Sequence, residues 1–267
     1  MTPLFSWQNA ATLTLVFGLV ACTASPTGRN QLLLFSDRDM NSLGAQSFEE
    51  MKSQQKINHD PKVNQYVQCV AGRITQYVPH NMGFSDWEVV VFDSDQVNAF
   101  ALPGGKIGVY TGLLDVAVNQ DQLATVIGHE IAHVMADHSN ERLSQSQLAN
   151  AGLQLTNIAL GSSEYAQYRG ITMAALGLGL QYGVLLPYGR TQESEADIVG
   201  LELMARAGFD PNQSIALWQN MAKAAGGNQP PELLSTHPSH STRISDLAAT
   251  IKRLPPSQAV TPNCSPN

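Results

Sequence analysis

The stretch Val126–Asp137 reads V-I-G-H-E-I-A-H-V-M-A-D, two histidines four positions apart with a glutamate directly after the first. On a helix of 3.6 residues per turn, His129 and His133 lie about 40° apart in projection, so both imidazoles can reach one metal ion. Glu130 is placed to take a proton from water at that metal rather than to bind the metal, the arrangement of a hydrolytic zinc enzyme. Leu123, Val126, Ile127, Ile131, Val134 and Met135 make the same helix apolar. Ionisable groups on an apolar helix are costly unless something compensates them, and a metal ion does.

Two histidines leave a zinc site incomplete. A metzincin would carry Gly at position 136 and His at 139, where this chain has Ala136 and Ser139. His138 falls five residues after His133, about 140° round the same helix, and is expected to point away from the metal. The stretch Thr191–Gly200, T-Q-E-S-E-A-D-I-V-G, offers a better candidate. Glu193 and Asp197 share a helix face at i and i+4. Glu193 can bind the ion, and Asp197 can accept a hydrogen bond from the free ring nitrogen of a ligand histidine and so fix its tautomer. Glu195 is the weaker alternative ligand.

The elements that would position these groups follow from local pattern. Ser36 caps a helix expected over Asp37 to about Gln54, and Asp60-Pro61 starts a second with Val63, Tyr66, Val67, Val70, Ile74 and Val78 on one side. Trp87–Phe92, Val97–Leu102 and Lys106–Thr111 are rich in β-branched and aromatic residues and read as strands separated by Asp93-Ser94-Asp95 and Pro103-Gly104-Gly105. Asn119 caps the histidine helix, expected to run to about His138. Asn98, Ala99, Phe100 and Ala101, continuing to Leu102, are the candidate edge on which an extended substrate could add as a strand, or else an ordinary core strand. Ile171–Leu186 is dense in Ala, Gly and Leu but is shorter than the roughly 20 apolar residues a bilayer span needs, so it reads as a buried or membrane-apposed helix, or a lid.

The chain has 267 residues and a net charge of −7, with its Lys and Arg scattered rather than clustered, which argues against nucleic acid as a partner. Residues 1–21 carry no charged side chain and contain an apolar run over Ala10–Val20, the pattern of an export signal. Leu19-Val20-Ala21-Cys22 resembles the lipobox of bacterial lipoproteins, in which the cysteine is lipidated. Residues 22–30 then read as a lipidated spacer, and Thr23 after the cysteine favours the outer membrane. With Cys22 lipidated, Cys69 and Cys264 remain as candidates for a disulfide in an oxidising compartment.

H-E-I-A-H at 129–133, E-S-E-A-D at 193–197, N-A-F-A-L-P-G-G at 98–105 and H-P-S-H-S-T-R at 237–243 together resemble metallopeptidase family forty-eight, in order and over about residues 30–250. That family includes CAAX prenyl proteases, HtpX heat-shock proteases, mitochondrial Oma proteases and bacterial periplasmic lipoproteins. The resemblance implies an α+β, zincin-like (gluzincin) metalloprotease domain, mainly helical with a small sheet beside the HExxH helix, over 31–255, followed by a Pro-rich tail over 256–267. It further implies one zinc ion per chain held by His129, His133 and Glu193, with Glu130 as base and Asp197 behind the ligands.

His237 and Arg243 fall in the last motif. Either could stabilise the oxyanion formed at the scissile carbonyl. His237 could instead fill the open metal position and hold the enzyme latent, with Gly226–Ser241 as a plug. The plain alternatives are a capped turn at His237-Pro238 and a structural ion pair for Arg243, with His240 on the surface. The expected function is a lipid-anchored periplasmic zinc endopeptidase acting on unfolded or unassembled envelope proteins. An assembly factor or chaperone with latent proteolysis is the alternative, and a zinc amidase acting on cell-wall peptides a weaker one.

Overall fold

The computed structural model describes residues 22–162, 167, 169–180, 186–224, 233, 237, 242–256 and 259–265. The export signal expected over 1–21, most of Gly226–Ser241 with His240, and positions 181–185 of the apolar stretch lie outside the described residues. In chain order the elements are β1 (Cys22–Ala24), β2 (Asn30–Leu32), α1 (Asp37–Gln54), α2 (Pro61–Thr75), β3 (Glu88–Phe92), β4 (Ala99–Leu102) and β5 (Lys106–Tyr110). There follow α3 (Thr111–Leu114), α4 (Gln120–Met135), α5 (His138–Gly161), α6 (Arg169–Leu180), α7 (Leu186–Arg206), α8 (Gln213–Ala224) and α9 (Arg243–Ile251).

The histidine helix, α4, forms the centre. Asn119 starts it by accepting from the backbone N–H of Asp121 and Gln122 at 3.1 and 2.9 Å. Every residue from Gln122 to Val134 is buried. A helix buried on all sides needs neighbours on all sides, and α2, α7, α8 and β4 supply them. Leu123, Ile127 and Ile131 are fully enclosed in this core, each contributing about 1.5–3 kcal/mol relative to an exposed side chain.

Strand β3 runs parallel to β5 and β4 antiparallel to it, giving the order β3-β5-β4 and leaving β4 at an edge. Phe100 lies opposite Gly108, where its ring fills the space a side chain would need. The fold is thus the expected mainly helical α+β arrangement with a small sheet beside the histidine helix.

Three features depart from the sequence reading. The first is the end of α4: it stops at Met135, and Asp137 adopts the left-handed conformation (φ 51°, ψ 28°) before α5 begins at His138. Because the helix is broken there, His138 does not continue round the α4 axis but returns towards His133. The second is the 22–30 stretch, which is not a loose spacer. Its strands pair Cys22 with Leu32 and Ala24 with Asn30, and Arg29 forms ion pairs with Glu141 and Glu195. Composition alone could not show this, since Ser, Thr, Pro and Gly also build tight turns. The third concerns α6, where Ile171 is 76% exposed and Leu176 is also exposed, so of the readings of the apolar stretch the buried helix does not hold for its described part. No helix among the described residues is long and apolar enough to cross a membrane.

Cys69 on α2 and Cys264 in the tail are joined as a disulfide, with Cα atoms 5.7 Å apart. The Cys264 N–H donates to Gln120 Oε1 at 2.8 Å and Gln120 Nε2 donates to the Pro262 carbonyl at 2.8 Å, so the tail lies over the start of α4. Reduction, or Cys69→Ser, is expected to cost about 2–5 kcal/mol, measurable as a lower Tm, with alkylation mass differing between reduced and unreduced protein.

Burial, with the Asp37 charge nearby, raises the Asp137 carboxyl to about 6. The folded state therefore holds its proton more tightly than the unfolded state, and the stability present below about pH 4 is lost as pH rises towards 6. Asp137→Asn, which tolerates the left-handed backbone, should stabilise the protein at pH 7 by on the order of 1 kcal/mol after screening of this half-buried group, and have no effect at pH 3.5; melting curves at the two pH values decide it.

Candidate metal centre

Helices α4 and α7 pass so closely that their backbones touch. A Cβ built on Gly200 would lie 2.8 Å from the His129 nitrogen, and one on Gly128 would lie 3.0 Å from the Gly200 carbonyl oxygen. Glycine at both positions permits this approach. It brings Glu193, two turns upstream of Gly200, against the two histidines one turn apart on α4.

The donor atoms converge. His129 Nε2 lies 3.0 Å from His133 Nε2 and 3.3 Å from Glu193 Oε2, and His133 Nε2 lies 3.4 Å from Glu193 Oε1. His237 adds Nδ1 at 3.3 Å from His129 Nε2 and 3.0 Å from Glu193 Oε1, and atoms of these four residues all fall within 4.8 Å of one another. Ligands about 2.0–2.1 Å from a tetrahedral zinc are about 3.3 Å apart, so the spacing and the nitrogen and carboxylate chemistry both fit zinc. The electrostatics agree. Burial would raise the Glu193 carboxyl, but hydrogen bonds from His129 and His237 hold it far below the usual carboxylate range. Burial pushes His133 well below its ordinary value, so a neutral imidazole faces an anionic carboxylate.

Behind His129 runs a line of support. Its Nδ1 lies 3.0 Å from Asp197 Oδ1, and Arg243 Nη2 donates to the same oxygen at 2.7 Å. Burial tends to lower His129, yet hydrogen bonds to Asp197 and Glu193 bring it up to about 9; Asp197 itself is kept low, against its burial, by Arg243 and His129. The Arg243 guanidinium is 1% exposed and sits 3.6 Å over the Trp218 ring. These contacts place Arg243 behind the ligands. Trp218 was not legible beforehand, because an aromatic at helical spacing looks like any core residue.

Glu130 is buried beside the donors, and burial raises its carboxyl. Among the described residues its Oε1 has no hydrogen-bond partner; it lies 3.5 Å from His237 Nε2, while the Ala101 backbone donates to the carboxylate. Of the expected edge residues, Asn98 turns its carbonyl to Tyr110 of β5, accepting at 3.1 Å, so by alternation the main chains of Ala99 and Ala101 face away from β5, at the edge of the sheet. The Phe100 side chain instead packs with Phe48, Phe92 and Tyr110, away from it. Upstream of that edge, the Leu233 N–H donates to the Val97 carbonyl at 3.1 Å, and the His237 N–H to the Leu233 carbonyl at 2.8 Å. A cavity of about 420 Å³ adjoins His133 and is lined by Met40, Met82, Phe84, Pro103 and Asp137, among others. Glu195 does not face the donors: His138, Thr27 and Arg29 engage it.

This fold and site define a zincin-type hydrolase centre. Residues 61–251 match the model of Peptidase family M48, and the chain belongs to that family. It is 33% identical over 257 residues to the mitochondrial metalloendopeptidase OMA1 of Bos taurus, covering 88% of this chain and 47% of that protein. To the mitochondrial metalloendopeptidase OMA1 of Schizosaccharomyces pombe it is 38% identical over 165 residues, or 61% of this chain and 46% of the relative. The beta-barrel assembly-enhancing protease of Yersinia pestis is 27% identical over 225 residues, 82% of this chain and 45% of the relative. The chain thus spans about half the length of these relatives.

Asp197→Ala should lower zinc affinity about 10–100-fold in a chelator competition while leaving the circular dichroism spectrum unchanged. Gly200→Ala should do the same and also lower Tm, because the added methyl must push α7 off the His129 backbone.

Proposed function

We propose that this chain is a zinc-dependent endopeptidase of the bacterial cell envelope, acting on unfolded or unassembled proteins in extended form. The observation that carries this reading is the placement of the buried Glu130 carboxylate beside the converging donors of His129, His133 and Glu193, with the Ala101 backbone of the edge strand β4 donating to it. Zinc, when bound by those three residues, supplies a Lewis acid and lowers the pKa of water towards about 7.

The chain's own groups do the rest. An extended substrate adds antiparallel to β4 through the outward main-chain groups of Ala99 and the carbonyl of Ala101, which aligns one peptide carbonyl over the site. Burial holds Glu130 ready to accept a proton, and the Ala101 N–H keeps the carboxylate turned to the cleft. Glu130 takes the proton of the attacking water and returns it to the leaving amine. Arg243 and Asp197 fix the His129 ring. The cavity beside His133 gives room for a substrate side chain on that flank.

The placement of His237 supports latency. Its Nδ1 takes a fourth corner of the donor cluster, and the segment carrying it occupies the upstream end of the substrate edge through Leu233. This is also what favours the second reading, an assembly factor that holds clients and cuts rarely. The export signal, the lipidation of Cys22 and the outer-membrane location belong to the proposal; the Leu19–Cys22 motif supports them, and the likeness to a beta-barrel assembly-enhancing protease of Yersinia pestis supports the envelope setting.

Glu130→Gln should retain stoichiometric zinc and lose cleavage of an unfolded protein by about 10²–10⁴-fold. His237→Ala should keep zinc and raise the turnover of the same substrate severalfold; a fall in kcat would assign His237 to the reaction itself and remove the latch.

A further inference from the structure

The ligand His133 has its own line of support, and it leads to the amino-terminal hairpin. With Nε2 directed to the donor cluster, its Nδ1 lies 2.8 Å from Nδ1 of His138. A ligand imidazole carries its proton on the other nitrogen, so His133 Nδ1–H donates and His138 Nδ1 accepts. His138 must then hold its proton on Nε2, which lies 3.1 Å from Glu195 Oε2 and donates to it. Glu195 accepts in turn from Arg29 Nε at 3.1 Å and Nη2 at 2.8 Å, and its other oxygen from the Thr27 hydroxyl at 2.6 Å. Arg29 is anchored from the far side by Glu141, at 2.5 and 2.8 Å. His138 and Glu195 are 1% and 3% exposed, so water does not substitute for a missing partner in this chain of contacts.

On the reading that His133 is a zinc ligand, we infer that the β1–β2 hairpin is part of the metal centre: Arg29, through Glu195 and His138, is a positioning residue that fixes the tautomer and ring orientation of His133. The geometry leaves each member one role. His138 is oriented by Glu195, since without an acceptor at Nε2 its proton can move to Nδ1, where it would oppose the His133 proton. Glu195 is buried and anionic, and the Arg29 fork both neutralises and aims it. A two-stranded hairpin is marginal on its own, and its turn is held by the seat on Glu141 and Glu195 while Gln31 Nε2 donates to the Ala136 carbonyl at 2.6 Å. Unseating it would release the ring of His133 without touching the donor cluster. Since the hairpin begins at Cys22, events at that residue are mechanically connected to the metal.

The test uses purified full-length protein and reads zinc loss to a chelator, the visible spectrum of the cobalt(II)-substituted protein, and kcat and KM on an unfolded protein. Arg29→Ala and Glu195→Gln should lose zinc about 10–100-fold more readily, shift the cobalt bands and lower kcat with KM little changed. Arg29→Lys should restore part of each, because an ammonium can pair with Glu195 but cannot fork to both carboxylates. Lys52→Ala breaks the Lys52–Glu88 ion pair, which lies outside this line of contacts, and should leave the cobalt spectrum as in wild type. Folded Arg29→Ala and Glu195→Gln proteins that retain zinc and spectrum would overturn the inference, as would a Lys52→Ala effect equal to theirs. A wild-type protein that holds no zinc would remove the metal-site reading and this one with it.

Discussion

Two helix backbones can come into contact only where neither carries a side chain, and here α4 and α7 do so at Gly128 and Gly200. Glycine in a helix interior costs about 1 kcal/mol relative to alanine, so the pair concedes about 2 kcal/mol of helix stability. What it secures is distance. Metal donors must sit within about 0.2 Å of their places, and a methyl group at the crossing would displace α7 by more than that. The arrangement of Glu193, Asp197 and the supporting side chains all descends from this one approach.

From that crossing the molecule supports its two ligand histidines in different ways. His129 leans on Asp197, and behind it Arg243 stacks on Trp218, groups drawn from α7, α8 and α9. His133 leans on His138, and behind it Glu195 and Arg29, groups drawn from α5, α7 and the hairpin. Each line alternates donor and acceptor and ends on a guanidinium that meets a carboxylate. Both lines pass through α7, which therefore supplies a ligand and an anion to each side. Buried charge is tolerated because no member of either line lacks its principal partner.

The sequence revealed the groups whose chemistry depends on spacing along one helix. His129, Glu130 and His133, and then Glu193 and Asp197, could be read because a 3.6-residue repeat converts sequence interval directly into a shared face. The caps Ser36, Asp60 and Asn119 were legible for the same local reason. What was not legible depended on a break or on a distant segment. His138 was misplaced because a single left-handed residue, Asp137, ends the helix and resets the angle. Arg29 sits in a stretch whose composition suits a tether, and only its partners at 141 and 195 show that it is folded. The two glycines stood in view inside the motifs, and a pair of small residues in otherwise bulky helices was the signal of the close crossing.

On the proposed function, the bond from Leu233 to the carbonyl of Val97 makes the strand edge on which a substrate would add a contested surface. Its competitor belongs to the same chain, and tethered competitors act at an effective concentration of about millimolar or more. A short peptide offering one or two main-chain bonds would be outcompeted at any ordinary concentration. A long unfolded segment would instead first engage Ala99 and the Ala101 carbonyl and then advance to displace Leu233 from Val97. Selection for extended, unstructured chains would then come from competition for one strand position, with no side-chain recognition required.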